Sequence, residues 1–401
     1  MPLMPRQPRR DRRHVAEPRV AIAYDCLFPV DHGGGERVYR RLADLFAERG
    51  SAVTYVTRRG RDAGAGAGAP FDVVGIWSGE IADADGTRTP SSAVAFAVAL
   101  FRYFVRHRGD HDLVLVAALP VLNVLAVRLA LIGARTVVAT DWLEIWPWRK
   151  WRRYSGAVVG TIAFVLQSLG VHVGRIQTVN SRFTRSRLLR YRRSADPLVL
   201  GLVDLVGETR NAPTQRASPP MMLFAGRHVA DKRLDALPAA LAVARETTPD
   251  LVAVIAGTGP ETDAVRRAAE AEGVAEVMRF VGRVDDAERD ALMGAAAALV
   301  NPSMREGFGL VVAEAASHGT PSVVVAGEDN ASADLVTDGE NGFVAASAAP
   351  EELGAAIVRT VLGGEQLRSS TAAWFARERG ERSLRRSATE IVERWRAISG
   401  E

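Results

Sequence analysis

Residues 301–321 read NPSMREGFGLVVAEAASHGTP, and within that span an apolar run ends, a turn forms and a helix begins. The run 298–300 just before it is strand-like, Pro302 and Gly307 shape a turn, and 310–317 has the composition of a buried helix. The amides around Phe308, Gly309 and Leu310 then become first-turn donors without intrahelical partners, a natural seat for an anion or a sugar hydroxyl. Glu306 stands just before that turn and Glu314 one turn into the helix. Two carboxylates so spaced can accept from hydroxyl pairs of one ligand at different depths. The plain alternative makes both of them surface residues. Glu314, however, is flanked by Val311, Val312, Ala313, Ala315 and Ala316, and a lone carboxylate in so apolar a helix needs a partner.

Working outward, this turn belongs to a series in which short apolar runs alternate with helical periodicity. Strands are expected at 221–225, 251–256, 277–281, 298–300 and 322–325, with helices between them, a further helix from Pro350 and a polar helix over 378–398. The preceding stretch 207–220, GETRNAPTQRASPP, is polar, proline-bearing and aperiodic, as a linker is. Before it a second such series runs from 20–24 through 52–57, 73–77, 113–117, 136–140 and 176–179. Continuous apolar strands of this kind come from parallel sheets buried on both faces. The expected architecture is α/β: two doubly wound, Rossmann-like domains facing a cleft between the carboxyl ends of their strands. The expected boundaries are a disordered basic tail at 1–18, a first domain at 19–206, the linker, a second domain at 221–375 and a C-terminal helix at 376–401.

Composition excludes several classes. Cys26 is the single cysteine, so an iron–sulfur centre, a cysteine-based zinc site and a disulfide scaffold are poor readings. Residues 1–19 hold six arginines against Asp11 and Glu17, so the net +4 lies there and positions 20–401 balance at 45 basic and 45 acidic side chains. A nucleic-acid-binding fold argued from the basic isoelectric point would be an error. Neither 91–104 nor 157–169 is long or uniform enough to span a bilayer; buried helices are the plainer reading and membrane contact the other. The tail has no apolar run of the kind a signal peptide needs, which points to a cytoplasmic protein, in its second reading peripheral at the inner face of the membrane.

Three further stretches carry candidate chemistry. Gly226–Arg233, GRHVADKR, follows a strand end, and Arg227 and Lys232 there can hold a diphosphate, one as a fork and one as a point charge. Lys232 is one of only two lysines in the chain, beside 49 arginines. Arg283 follows another strand end at the same edge and is either a ligand or a surface residue. Gly33, Gly34 and Gly35 precede a helix expected from Glu36 and let a phosphate or sugar approach the backbone. Their spacing matches neither GxGxxG nor GxxxxGK[ST], which argues against a dinucleotide or Walker site. Asp83 and Asp85 imitate a DxD metal motif, and His107 and His111 straddle a Gly-Asp turn; neither pair is a ligand set, and no metal or other cofactor is expected.

In this order and spacing, the pair Glu306 and Glu314 with GFGL between, the following Gly319–Thr320–Pro321, the turn from Asp338 to Phe343, Arg227 with Lys232, and the glycine run before Glu36 are similar to one family. The chain resembles the GT-B glycosyltransferases of family 4, retaining enzymes of the mannosyltransferase-like and sucrose-synthase-like group, over 20–398. The resemblance implies a nucleoside diphosphate sugar donor, UDP- or GDP-linked, and a hydroxyl acceptor not identified by the sequence. It implies that Glu306 contacts the transferred sugar, Glu314 holds the donor ribose and Arg227 with Lys232 neutralises the diphosphate. It further implies that Gly34 and Gly35 belong to a loop closing over donor and acceptor, and that the final helix crosses back to the first domain.

The chain departs from that pattern at Thr140–Asp141–Trp142–Leu143–Glu144, where many relatives carry a histidine, no histidine occurs between His111 and His172, and Asp141 or Leu143 takes its place. Asp141, as the first polar residue past the strand 136–140, is expected to face the cleft, with Trp142 and Trp146 shaping an acceptor pocket and Arg149 or Lys150 at its rim. The stretch 142–154, WLEIWPWRKWRRY, suits a phosphorylated or lipid-linked acceptor, a membrane interface, or a loop packed on the sheet with a basic edge. A non-catalytic nucleotide-sugar or glycan-binding protein is the alternative to an enzyme.

Overall fold

The computed structural model describes residues 17–31, 33–60, 68–81, 88–206 and 216–400. Tail residues 1–16, the Asp83/Asp85 pair and linker positions 207–215 lie outside the described residues.

The first sheet is built from β1 (Val20–Ala23), β2 (Val53–Arg58), β3 (Asp72–Trp77), β4 (Leu113–Ala117), β5 (Val137–Trp142), β6 (Ile176–Val179) and β7 (Leu198–Val199). All are parallel, in the order β3-β2-β1-β4-β5-β6-β7. Every residue of β1, β4 and β5 is buried, and β1 and β4 accordingly read as unbroken apolar runs. Helices Gly34–Glu48 and Leu384–Ser399 cover one face, and helices Pro90–Arg106, Leu122–Ala130 and Ala157–Gly170 cover the other.

The second half continues with β8 (Met221–Ala225), β9 (Val252–Ala256), β10 (Met278–Gly282), β11 (Ala298–Asn301), β12 (Arg305–Glu306), β13 (Ser322–Val325), β14 (Asp329–Asn330) and β15 (Gly342–Ala345). Six of these form a parallel sheet in the order β10-β9-β8-β11-β13-β15, while β12 and β14 pair only with each other. In both sheets the strand order reverses beside the first strand, and the loops at the carboxyl ends converge on one cleft.

The expected polar helix at the end is in fact two. Helix Gly364–Glu381 stops, Ser383 caps the next one by accepting from the Arg386 amide at 3.2 Å, and Leu384–Ser399 runs back onto helix Gly34–Glu48. The break lies where the chain presses on Gly201: a side chain there would collide with the Arg382 carbonyl carbon and the Ser383 nitrogen. Gly201 instead donates its amide to Ser387 Oγ at 2.8 Å, and Asp204 accepts from the Leu384 amide at 2.6 Å.

One other expectation changes. Glu17 and Pro18, placed in the expected tail, pack against the fold: Glu17 pairs with Arg396 at 3.0 Å and Arg49 at 3.4 Å, and Pro18 is buried. The electrically balanced body is a pair of oppositely charged halves: positions 19–206 carry 25 basic and 16 acidic side chains, positions 207–401 carry 21 and 29. Among the described residues, no helix is long and apolar enough to cross a membrane.

Candidate active site in the interdomain cleft

The cleft encloses about 680 Å³ between the two sheets. From the first domain Gly33, Gly34, Gly35 and Arg37 face it. From the second come Arg227, Lys232, Glu306, Phe308, Gly309, Leu310 and Glu314. The first helix starts at Gly34, two residues earlier than expected, because the glycines admit helical backbone close to the opposite domain. A Cβ on Gly34 would lie 3.2 Å from Leu310 Cδ1, so the glycine turn and the start of helix Leu310–Ser317 meet directly.

That start is made by Gly309, whose φ of 91° and ψ of 47° are left-handed. A side chain there would also come within 2.5 Å of Ser332 Cβ. No side chain caps the helix, so its first amides stay open toward the cleft. Behind the turn, buried Asn330 donates to the Ser303 carbonyl at 2.9 Å and the Val325 carbonyl at 2.8 Å and accepts from Ser332. The pairing of Glu306 with Asn330 across β12 and β14 fixes where the carboxylate stands.

Both carboxylates are held by cations. Lys232 donates to Glu306, and Arg37 of the first domain reaches Glu314 at 2.7 Å while its other nitrogen donates to the Leu205 carbonyl at 3.3 Å. Arg37 was not foreseen; its only sequence signal is a place on the cleft side of the first helical turn. Leu143, the other residue that can stand where relatives carry the histidine, lines the cleft, as do Glu144, Asn180 and Arg289, which were not singled out.

Arg283 does not join them. It follows Gly282 at the end of β10, the outer edge strand, and projects into solvent, while Arg289, in the first turn of helix Asp286–Ala295, reaches the cleft.

Asp141 does not face the cleft either. β5 runs to Trp142, two residues past the expected end, so Asp141 stays in the pleat between Ala117 and Thr178. Its carboxylate accepts from Tyr39 Oη at 2.6 Å and Thr178 Oγ1 at 2.5 Å and is wholly buried. Burial raises its pKa above the usual carboxylate value, against the pull of the two hydrogen bonds. Trp142 points to the opposite layer, a core side chain whose indole donates to Gln177 at 2.6 Å, so it shapes no acceptor pocket.

The first residues to emerge are Leu143 and Glu144. Glu144 accepts from Arg305 at 2.8 Å, and Arg305 also approaches Asp231 at 3.4 Å. Trp146 is buried beneath this pair, with Arg305 4.7 Å and Lys150 4.6 Å from its ring centre. Lys150 reaches Asp329 at 2.9 Å and Arg187 reaches the same carboxylate at 2.7 Å, whereas Arg149 is exposed on helix Trp148–Ser155. Burial lowers the Lys150 pKa despite Asp329. Asp329 is itself desolvated, yet its two cations outweigh that and hold it below the usual value. Among the described residues no cluster of three or more His, Cys, Asp or Glu suits a metal.

Two Rossmann-like domains facing such a cleft define the GT-B architecture, and solved structures share it over nearly the whole chain. Sucrose-phosphate synthase of Thermosynechococcus elongatus superposes with a TM-score of 0.73 at 17% identity, covering 94% of this chain and 98% of that one. Anabaena HepE in complex with UDP and glucose does so with 0.67 at 16% identity, covering 93% and 98%. In sequence, residues 207–372 match the family described as Glycosyl transferases group 1. Glycogen synthase of Mycobacterium tuberculosis H37Rv is 38% identical over 149 residues, which is 37% of this chain and 35% of that protein. A phosphatidyl-myo-inositol mannosyltransferase of Propionibacterium freudenreichii is 38% identical over 123 residues, 30% of this chain and 29% of that protein. The chain thus spans about a third of the length of the curated relatives it matches.

Proposed function

We propose that this chain is a retaining glycosyltransferase moving a hexose from a nucleoside diphosphate sugar to a hydroxyl acceptor. The observation that carries the reading is the meeting of the Gly33–Gly35 turn with the uncapped helix start at Gly309, ringed by Arg227, Lys232, Glu306 and Glu314. The UDP and glucose in the similarly folded HepE support a donor of this class.

Cleavage of the anomeric C–O bond leaves new negative charge on the nucleoside diphosphate. Arg227, Lys232 and the open amides past Gly309 stabilise it as it develops. Glu306 favours the positive charge on the sugar carbon and orients its hydroxyls, and Glu314 accepts from the ribose hydroxyls. The acceptor oxygen bonds to the anomeric carbon on the face the phosphate leaves, and the acceptor proton passes to the departing phosphate oxygen. Glu306, already paired with Lys232, acts by charge and position rather than as a nucleophile. Supply of the donor fits a cytoplasmic setting, and peripheral contact with the membrane is a matter of the outer face of the first domain.

Calorimetry with UDP and GDP on the protein and on Lys232→Ala tests the donor side. Loss of a charge-assisted contact of about 1.5–3 kcal/mol weakens binding by roughly 10- to 150-fold. Equal affinities would reject the role of Lys232. A panel of sugar nucleotides assayed for slow hydrolysis, with and without a lipid extract, tests turnover. Binding without any turnover would assign the chain to the non-catalytic sugar-nucleotide binders instead.

A further inference from the structure

We propose that the outer helical face of the first domain docks on the surface of an anionic membrane. Helix Pro90–Arg106 turns Phe96, Leu100 and Phe104 onto the sheet, where all three are fully buried. Its opposite side carries Val94, Val98, Phe101 and Val105, between 40 and 52% exposed. Helix Ala157–Gly170 repeats the same 4-3-4 spacing outward with Val158, Ile162, Val165 and Leu169, between 50 and 73% exposed. Helix Leu122–Ala130 packs between these two and adds Leu129, with Ile132 just beyond its end. Of the sixteen large apolar side chains exposed among the described residues, thirteen lie between Val94 and Leu169 on this layer. A continuous apolar face of this kind marks a contact surface on a water-soluble fold.

Charge identifies what it contacts. These three helices and Trp148–Ser155 contain no aspartate or glutamate, and residues 145–195 hold eleven basic side chains and no acidic one. Arg102, Arg106, Arg128, Arg152 and Arg153 are exposed around the apolar rows. A second copy would bring like-charged rims together, whereas anionic headgroups complement them while the acyl region takes the valines and Phe101. Trp148 and Tyr154 are exposed at the same rim, with the Arg152 guanidinium 4.6 Å over the Trp148 ring, and amphipathic rings of this kind favour the headgroup level. The face flanks the sheet instead of its carboxyl edge, so docking leaves the cleft uncovered. The contact needs neither donor nor turnover and stands apart from the transferase reading.

Sedimentation of the full chain with vesicles of phosphatidylcholine, or of equal parts phosphatidylcholine and phosphatidylglycerol, tests this directly. Partitioning onto the anionic vesicles is expected to exceed that onto the neutral ones by about tenfold or more and to fall as salt rises. Phe101→Asp with Ile162→Asp should reduce it by about tenfold or more at an unchanged melting temperature. Arg152→Gln with Arg153→Gln, which leaves the apolar rows intact, should reduce it by about fivefold per arginine. Failure to bind either vesicle, or unchanged binding by both double variants, would overturn the proposal. So would a concentration-dependent dimer in sedimentation velocity that Phe101→Asp with Ile162→Asp abolishes, because the face would then belong to a second copy.

Discussion

Asp141 holds a carboxylate out of water between two hydroxyls, and that geometry fixes what its replacements do. An asparagine there can accept from one hydroxyl and donate to the other. Asp141→Asn is therefore expected to fold and to keep turnover within about twofold. Asp141→Ala leaves the Tyr39 and Thr178 hydroxyls buried without their acceptor and should cost about 2–4 kcal/mol in urea melts. The pH dependence follows from the raised pKa. A carboxyl whose folded value exceeds the unfolded one contributes stability below the unfolded value, and that contribution is lost as pH rises through the folded value. Between about pH 4 and pH 7 the wild type should lose melting temperature relative to Asp141→Asn. A constant difference across that range would show that the carboxylate is already ionised at its lower end.

Among the elements, the start of helix Leu310–Ser317 is the one whose backbone admits least change. Gly309→Ala puts a side chain on a left-handed residue and against Ser332, and about 1–3 kcal/mol of destabilisation is expected. The displaced amides should weaken UDP or GDP binding in the same variant. Gly35 provides the contrast. Its added Cβ would meet Tyr24 Oη at 3.4 Å and Leu143 Cδ1 at 3.5 Å, ordinary contacts inside a helix, so Gly35→Ala should stay within about 1 kcal/mol of wild type. Melting curves of the two variants side by side check the difference. Helix periodicity at 91–104 and 157–169 was legible in the sequence, but burial of those segments was the plainer expectation. Helix Pro90–Arg106 has one apolar row on the sheet and a second facing out, and helix Ala157–Gly170 buries Gly160, Gln167 and Gly170 while its valines and Ile162 face out, so hydropathy alone counts the outward rows as core.

For the molecule as a whole, charge draws the two halves together. The cation and the carboxylate come from different domains in Arg37–Glu314, Arg305–Glu144 and the approach of Lys150 and Arg187 to Asp329. Each partly exposed pair contributes only about 0.2–1 kcal/mol, yet several acting on one hinge bias it together. Burial works against the Arg305 charge, but Glu144 and Asp231 raise its pKa above the usual value, so the guanidinium stays charged between them. Lys150→Ala with Arg187→Ala should open the ligand-free cleft, read as a larger radius of gyration in solution scattering. Nucleoside diphosphate affinity should fall by up to about tenfold as the closed form loses population. An unchanged radius at both low and high salt would show that apolar contacts alone hold the domains.

The sequence by itself determined the two alternating α/β series, the strand cores, the glycine turn and the helix start at Gly309, because each of these is written in neighbours a few residues apart. The same local signals brought Glu306, Glu314, Arg227 and Lys232 to notice, and the fold gathers them around one cleft. Tertiary structure alone decided which side chain leaves β5 into that cleft, since two extra residues of pairing with β4 and β6 keep Asp141 in the pleat and deliver Leu143 and Glu144 in its place. It also sent Arg283 outward, because β10 is an edge, and chose Arg37 as the partner of Glu314 across 277 residues of chain. Strand order, the reach between domains and the exposed side of a helix layer are set by contacts distant in sequence, and no local window of residues contains them.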